Sequence, residues 1–123
     1  MDKQVFNEES FNKEHLDKRY VDKIYSMLGL AMKAGKVVSG EFATDKNIKS
    51  QRAWLVIIPE DASNNTKKMF SNMCDFYKVP LHFFGTKETL GHAVGKSMRS
   101  SLAIIDEGFA KSLVKQLEQS VGQ

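Results

Sequence analysis

The chain has 123 residues, of which 41% are hydrophobic and 27% charged, and this balance suits one soluble domain with a real core. No apolar run approaches the ~18 residues that a membrane span needs, and the mixed-charge N-terminus lacks a signal-peptide pattern. The single Cys74 cannot form an internal disulfide. Together these features exclude membrane and disulfide-rich secreted classes and predict a cytoplasmic protein.

The net charge of +3 is mild, but its distribution along the chain is uneven. Residues 1–20 hold four basic and five acidic side chains, whereas residues 33–52 hold five basic and two acidic ones. The basic segment fits either a solvated helix face or a surface that binds phosphates.

The first half of the chain predicts a leader, two helices and two strands. Residues 1–20 show weak periodicity and are predicted to form a flexible leader, with room for a helical turn near its end. Val21, Ile24, Leu28 and Ala31 recur at helical spacing, which predicts a helix over 21–34 that Gly35 ends. A short strand at 37–38 and a helix from about 40 to 50 follow, and this helix is expected to bury Phe42 or Ala43 with Ile48. The apolar run "AWLVIIP" predicts a strand covered on both faces.

The second half continues the alternation of helices and strands. Ser63 or Asn64 is expected to cap a helix with Met69, Phe70, Met73 and Tyr77 on one side. "PLHFFG" predicts the next strand, Thr86 caps a helix, "SLAII" predicts a fourth strand and Asp106 opens a last helix. The order α-β-α-β-α-β-α-β-α predicts an α/β fold, namely a three-layer α-β-α sandwich. The chain is thus divided into the leader and a single domain over 21–123.

Metal and thiol chemistry find little support in the sequence. The histidines at 15, 82 and 92 share no spacing with Cys74 that a zinc site would need. Cys74 lies mid-helix among apolar neighbours, which indicates a core residue rather than a nucleophile. No metal and no cofactor are therefore expected.

Two acidic pairs leave an enzymatic alternative open. Glu60-Asp61 and Asp106-Glu107 each follow a predicted strand, where α/β proteins often bind ligands. Acidic residues in a first helical turn also cap free N–H groups and suit the helix dipole. We favour the capping role and expect no catalytic residues.

The stretch "AGKVVSGEFATDK" carries the strongest binding signal that the residues give on their own. Gly40, at a predicted helix start, lets another backbone approach, and the first N–H groups of the helix attract anions. Lys46 and Lys49 follow on the helix, and Lys36 is expected to flank the same helix start. The pattern predicts an anion-binding helix N-terminus with a basic rim.

Longer motifs resemble the L7Ae/L30e superfamily of ribosomal proteins, and within it most closely the bacterial YlxQ-like branch. The resemblance covers about residues 22–115 and lies in four successive stretches: "MLGLAMKAGKVVSGE", "AWLVIIPEDASNNTKK", "VPLHFFGTKETLGHAVGK" and "SLAIIDEGFAKSL". It implies an α-β-α sandwich with a four-stranded mixed sheet and no enzymatic activity. It also implies binding to RNA, often to a kink-turn, within ribosomes or other ribonucleoproteins.

The resemblance also assigns site residues. The family's recognition helix opens with glycine, a variable residue, asparagine, glutamate, two further residues and lysine. Gly40, Glu41 and Lys46 match the glycine, the variable position and the lysine, but Phe42 and Ala43 replace the polar pair that contacts base edges. Phe42 can stack on a base instead.

A second family contact region precedes the last strand and reads "GKSMRSSLA" here. Met98 is expected to pack against flipped bases, with Lys96 and Arg99 on phosphates. The full set of predicted RNA-contacting residues is Lys36, Ser39, Gly40, Glu41, Phe42, Lys46, Lys49, Lys96, Met98 and Arg99.

The expected partner is therefore structured RNA, with ribosomal or translation proteins as further partners and no membrane. The alternative is a protein-interaction module on the same scaffold, with Phe42 as its apolar anchor. The sequence leaves the particular RNA and the oligomeric state open.

Overall fold

The computed structural model describes residues 17–121, so most of the predicted leader lies outside the described residues. The helices are α1 (Lys18–Lys33), α2 (Glu41–Lys49), α3 (Asn64–Tyr77), α4 (Lys87–Ala93) and α5 (Glu107–Ser120). The strands are β1 (Val37–Ser39), β2 (Leu55–Ile58), β3 (Leu81–Phe83) and β4 (Leu102–Ile104). None of the helices within 17–121 is long and apolar enough to cross a membrane.

The four strands form one mixed sheet in the order β1-β4-β2-β3. β4 pairs antiparallel with both β1 and β2, while β2 and β3 run parallel. β2 is buried at every position, as its continuous apolar sequence predicts. The predicted four-stranded mixed sheet is confirmed.

Helices cover both faces of this sheet and create two core layers. On one face α1, α4 and α5 bury Ile24, Leu90 and Leu113 against the sheet. On the other face α2 and α3 bury Ile48 and Phe70. The predicted α-β-α sandwich is therefore confirmed, with the core divided by the sheet.

Helix ends follow the capping signals in the sequence. Ser63, Thr86 and Asp106 each accept a backbone N–H through the side chain at the start of their helices. Gly35 has a positive φ of 74°, and Lys36 N donates to Ala31 O across 2.8 Å, which closes α1 in a Schellman motif.

The start of α1 differs from the prediction by three residues. Asp17 caps the helix by accepting the Arg19 N–H, so residues 18–20 are helical although they belong to the predicted leader. Residues 18–20 show no helical periodicity of apolar side chains, so the sequence did not assign them to the helix. The division into a leader and a domain at residue 20 stays a prediction.

Candidate nucleic-acid interface

Gly40 sits at the exact turn where β1 passes into α2, and its backbone is one that favours glycine. Its φ is 93°, and a Cβ placed on it would meet nothing within 4 Å, so the space beside it is open. Gly40 caps α2 without a side chain, and the first intrahelical bond joins Thr44 N to its carbonyl. The N–H groups of residues 41–43 thus precede that bond and face the open start of the helix.

One exposed stripe of α2 carries an aromatic ring and two cations. Phe42, Lys46 and Lys49 follow at intervals of four and three residues, which places them on one helix face. Thr44 and Ile48 form the buried face instead. Of the two alternatives for the inward-facing residue, Phe42 is 81% exposed, whereas Ala43 is half-buried.

Arg99 joins the second predicted contact region to the start of α2. Its Nε donates to Ser39 Oγ across 2.9 Å, and its Nη1 donates to the Met98 carbonyl at the same distance. A guanidinium has five N–H donors, so three remain for a ligand such as phosphate. Met98 is 55% exposed beside it.

Ser101 holds the start of α2 against the sheet, through two contacts that the sequence did not predict. Ser101 Oγ donates to Thr44 Oγ1 across 3.0 Å, and both side chains are fully buried. Ser101 also accepts the Gly40 N–H through its carbonyl, at 3.0 Å. This pair fixes the first turn of α2 on β4, since a buried hydroxyl needs a partner.

The loop from 96 to 99 lies against α4 because Gly91 has no side chain. A Cβ on Gly91 would meet the Ser97 carbonyl oxygen at 2.0 Å. Arg99 N donates to the Lys87 carbonyl across 3.0 Å, so the loop runs back along the helix to its start. Gly91 stands within one of the quoted family motifs, but nothing in a single sequence marks this contact.

The charges at this site are of both signs. Lys49 is engaged by Asp45 across 3.2 Å, one helical turn away, and both are partly exposed. Among the described residues no carboxylate oxygen lies within salt-bridge distance of Lys46. Glu41 is exposed in the first turn, where it suits the helix dipole but repels an approaching phosphate.

Lys36 and Lys96 are held by elements other than the first turn of α2. Lys36 precedes β1 and Gly40 follows it, so the strand separates them by about 13 Å of extended chain. That Lys36 flanks the helix start stays a prediction. Lys96 lines a cavity of about 720 Å³ with Tyr25 and His92, between α1 and α4. We call the group that does converge, Ser39, Gly40, Phe42, Lys46, Met98 and Arg99, the Gly40 surface.

Two of the four carboxylates considered for catalysis, Asp61 and Asp106, accept backbone N–H groups, while Glu60 lines the smaller of two cavities. Asp106 Oδ2 accepts the Phe109 N–H at 2.9 Å and caps α5, and Asp61 Oδ1 accepts the Lys87 N–H at 2.8 Å. Asp106 lines neither the cavity between α1 and α4 nor a smaller one of about 260 Å³ beside Phe83 and Leu117. Within residues 17–121 no group of three or more His, Cys, Asp or Glu side chains could hold a metal ion.

Cys74 occupies a place in the core, as its neighbours predict. It is buried with Phe70 and Ile48 beneath α2 and α3. Burial raises the pKa of its thiol from 9.0 to about 11, so the thiol stays protonated at neutral pH. A neutral, enclosed thiol is a packing group rather than a nucleophile.

A mixed four-stranded sheet between two helical layers, with an open glycine-capped helix beside a basic loop, defines a class of small ribosomal-type α/β domains. The chain belongs to the Ribosomal protein L7Ae/L30e/S12e/Gadd45 family, whose model matches residues 22–114. This match covers all five helices except the first residues of α1 and the last turns of α5.

Two relatives are similar over most of the domain. The chain is 44% identical over 94 residues to the RNA-binding protein YlxQ of Bacillus subtilis (strain 168), which spans 76% of this chain and 94% of that protein. It is 36% identical over 93 residues to the RNA-binding protein YlxQ of Enterococcus faecium, or 76% of this chain and 89% of that protein. The predicted resemblance to this branch is confirmed.

Solved structures share the fold. A protein of unknown function from Bacillus halodurans C superposes with a TM-score of 0.76 at 33% identity, covering 78% of this chain and 97% of its own. The 15.5kD RNA binding protein of Giardia lamblia gives a TM-score of 0.69 at 21% identity, covering 83% and 90%. At that identity the second likeness concerns the fold alone.

Proposed function

We propose that this protein binds structured RNA through the Gly40 surface and has no enzymatic activity. The observation that carries the proposal is the open start of α2, where Gly40 supplies no side-chain cap, beside the anchored guanidinium of Arg99. Helix N–H groups and a guanidinium both bind phosphate oxygens, and they lie together here. The RNA-binding relatives support the same partner.

Recognition rests on backbone shape and stacking more than on base-edge hydrogen bonds. Phe42 and Ala43 stand where the family's polar pair is expected, and neither side chain can donate or accept a hydrogen bond. Phe42 instead offers an exposed ring for a base, and Met98 offers an apolar surface. We therefore propose a sharply bent, kink-turn-like RNA as the ligand, with the protein acting in the cytoplasm beside the translation machinery.

The test is a titration with a kink-turn RNA and a matched straight duplex at several salt concentrations. Lys46→Ala is expected to weaken binding and to lower the salt slope by roughly one, since one phosphate contact is lost. Lys49→Ala is expected to have less effect, because Asp45 already engages that ammonium. Lys115→Ala, an exposed lysine on α5, is the matched control.

Phe42 provides a second, independent measurement. Phe42→Ala is expected to weaken RNA binding by about 1–3 kcal/mol. The salt slope should not change, because stacking a base on the ring involves no phosphate contact. Phe42→Asn with Ala43→Glu is expected to widen the preference for the kink-turn over the duplex. The proposal is wrong if Lys46→Ala and Phe42→Ala bind every RNA as the unaltered protein does, and pull-down of a ribosomal protein that resists RNase would then favour a protein-interaction module.

A further inference from the structure

A second group of cations lies at the other end of the sheet from Gly40. Backbone hydrogen bonds link the segments that carry these cations. Ile105 N donates to the Lys36 carbonyl across 2.9 Å, and Trp54 N donates to the Ile104 carbonyl across 2.7 Å. The end of β4 alone therefore separates Lys36 from Trp54, a span of about two strand spacings, or ~10 Å. Arg52 lies two residues before Trp54.

The cations here are not neutralised by the acidic residues nearby. Lys33, Lys36 and Arg52 are exposed, and within residues 17–121 no carboxylate oxygen lies within 4.0 Å of their charged nitrogens. Three acidic side chains are engaged elsewhere: Asp45 with Lys49 at 3.2 Å, Asp106 with the Phe109 N–H at 2.9 Å and Glu107 with Lys111 at 3.1 Å.

Trp54 adds an exposed aromatic residue to this end of the sheet. It is 47% exposed and belongs to neither core layer, although Ala53 and Leu55 on either side of it pack into the interior. A large ring left half in water at a basic surface suits a flat ligand that carries negative charge. We call Lys33, Lys36, Arg52 and Trp54 the Trp54 surface.

We infer that the Trp54 surface binds a single-stranded segment of RNA, with one base stacked on Trp54 and its neighbouring phosphates on Lys36 and Arg52. Spaced cations beside an exposed aromatic ring are the elements with which proteins hold single strands. An acidic peptide would satisfy the cations but has no flat base for the indole. This contact is separate from the Gly40 surface, so the domain holds RNA at both ends of its sheet.

The chain offers a direct probe, because Trp54 is its single tryptophan. Titration with a short single-stranded oligoribonucleotide is expected to change the Trp54 fluorescence saturably, with an affinity that falls as salt rises. Trp54→Phe is expected to retain binding, measured by anisotropy of a labelled oligonucleotide, while Trp54→Ala loses roughly 5- to 150-fold. Phe76→Ala, which removes an exposed ring elsewhere, and Lys115→Ala are the controls.

The two surfaces can be tested apart. The double variant Lys46→Ala with Arg99→Ala is expected to keep the fluorescence response to the single-stranded oligonucleotide, whether or not its affinity for the kink-turn RNA falls. A kink-turn RNA with a single-stranded extension is expected to bind more tightly than the blunt one, and Lys36→Ala with Arg52→Ala removes that gain while blunt binding persists. An unchanged fluorescence, an equal response to poly-glutamate, or equal binding of Trp54→Ala and the unaltered protein overturns the inference.

Discussion

Arg99 Nε donates to Ser39 Oγ across 2.9 Å, although sixty residues separate them in the chain. The bond joins the loop before β4 to the last residue of β1, next to Gly40. Because the same guanidinium also donates to the Met98 carbonyl, its plane is fixed before any ligand arrives. A fixed donor loses less conformational entropy on binding than a mobile one.

Arg99→Lys tests whether this geometry matters beyond charge. Lysine keeps the positive charge but cannot reproduce the planar fork, so affinity for structured RNA is expected to fall by about 1 kcal/mol with the salt slope unchanged. Arg99→Ala is expected to lower the slope as well, by roughly one. Ser39→Ala should show a smaller fall in the same direction, and full affinity in Arg99→Lys would rule out the positioning role.

Glu41→Gln is expected to separate folding stability from RNA affinity. The carboxylate stands in the first turn of α2, where the helix dipole favours it, so its loss should lower the free energy of unfolding by about 0.3–1 kcal/mol. The same loss removes repulsion toward phosphates and should tighten RNA binding, most clearly at low salt. Urea denaturation and RNA titration measure the two effects. Glu118→Gln on α5 is the control, and weaker RNA binding by Glu41→Gln would contradict the electrostatic argument.

Two helical glycines make a matched pair with opposite expectations. Gly91→Ala places a methyl group at 2.0 Å from the Ser97 carbonyl oxygen, so the loop that carries Met98 must move, at a cost of roughly 1–3 kcal/mol of stability. Gly29→Ala meets the Ala93 carbonyl oxygen only at 3.6 Å, an ordinary contact, and should stabilise α1 by roughly 0.5–1 kcal/mol. Thermal unfolding compares them. Equal stability of Gly91→Ala and the unaltered protein would contradict the close contact between Gly91 and the Ser97 carbonyl.

Cys74 gives the protein a predictable response to alkaline pH. Burial raises the pKa of its thiol to about 11 in the folded state, so the unfolded chain loses this proton first as pH rises. The contribution of the buried thiol to stability is therefore complete below pH 9 and declines toward pH 11. Urea denaturation at pH 7.5 and pH 10 should show a larger drop for the unaltered protein than for Cys74→Ala. At pH 8 a thiol reagent should modify the native protein far more slowly than the unfolded one.

The sequence predicted most of the fold because its local signals agree with one another. The apolar run before Pro59 defines a buried strand, and Ser63, Thr86 and Asp106 cap the helices that follow strands. The first turn of α1 was assigned to the end of the leader, although Asp17 is a good capping residue, because residues 18–20 carry no apolar period.

The site was predicted less completely, since its geometry depends on contacts between distant residues. Neighbours in sequence such as Lys36 and Gly40 lie at opposite ends of a strand, whereas Ser39 and Arg99 are in contact. The buried pair of Thr44 and Ser101 and the close approach at Gly91 leave no pattern that a single sequence can reveal. The sequence left open whether Phe42 or Ala43 packs inward, because both are apolar residues near the helix start, and the structure exposes Phe42.

The sheet order has a consequence for how the nascent chain matures. Within residues 17–121, β1 pairs only with β4, the fourth strand in chain order, and the Ser101 carbonyl directly before β4 accepts the Gly40 N–H. A translating ribosome that has released only the first ninety-odd residues therefore holds a β1 without a partner. We therefore expect a nascent chain to form the Gly40 surface only after β4 has left the ribosome and paired with β1.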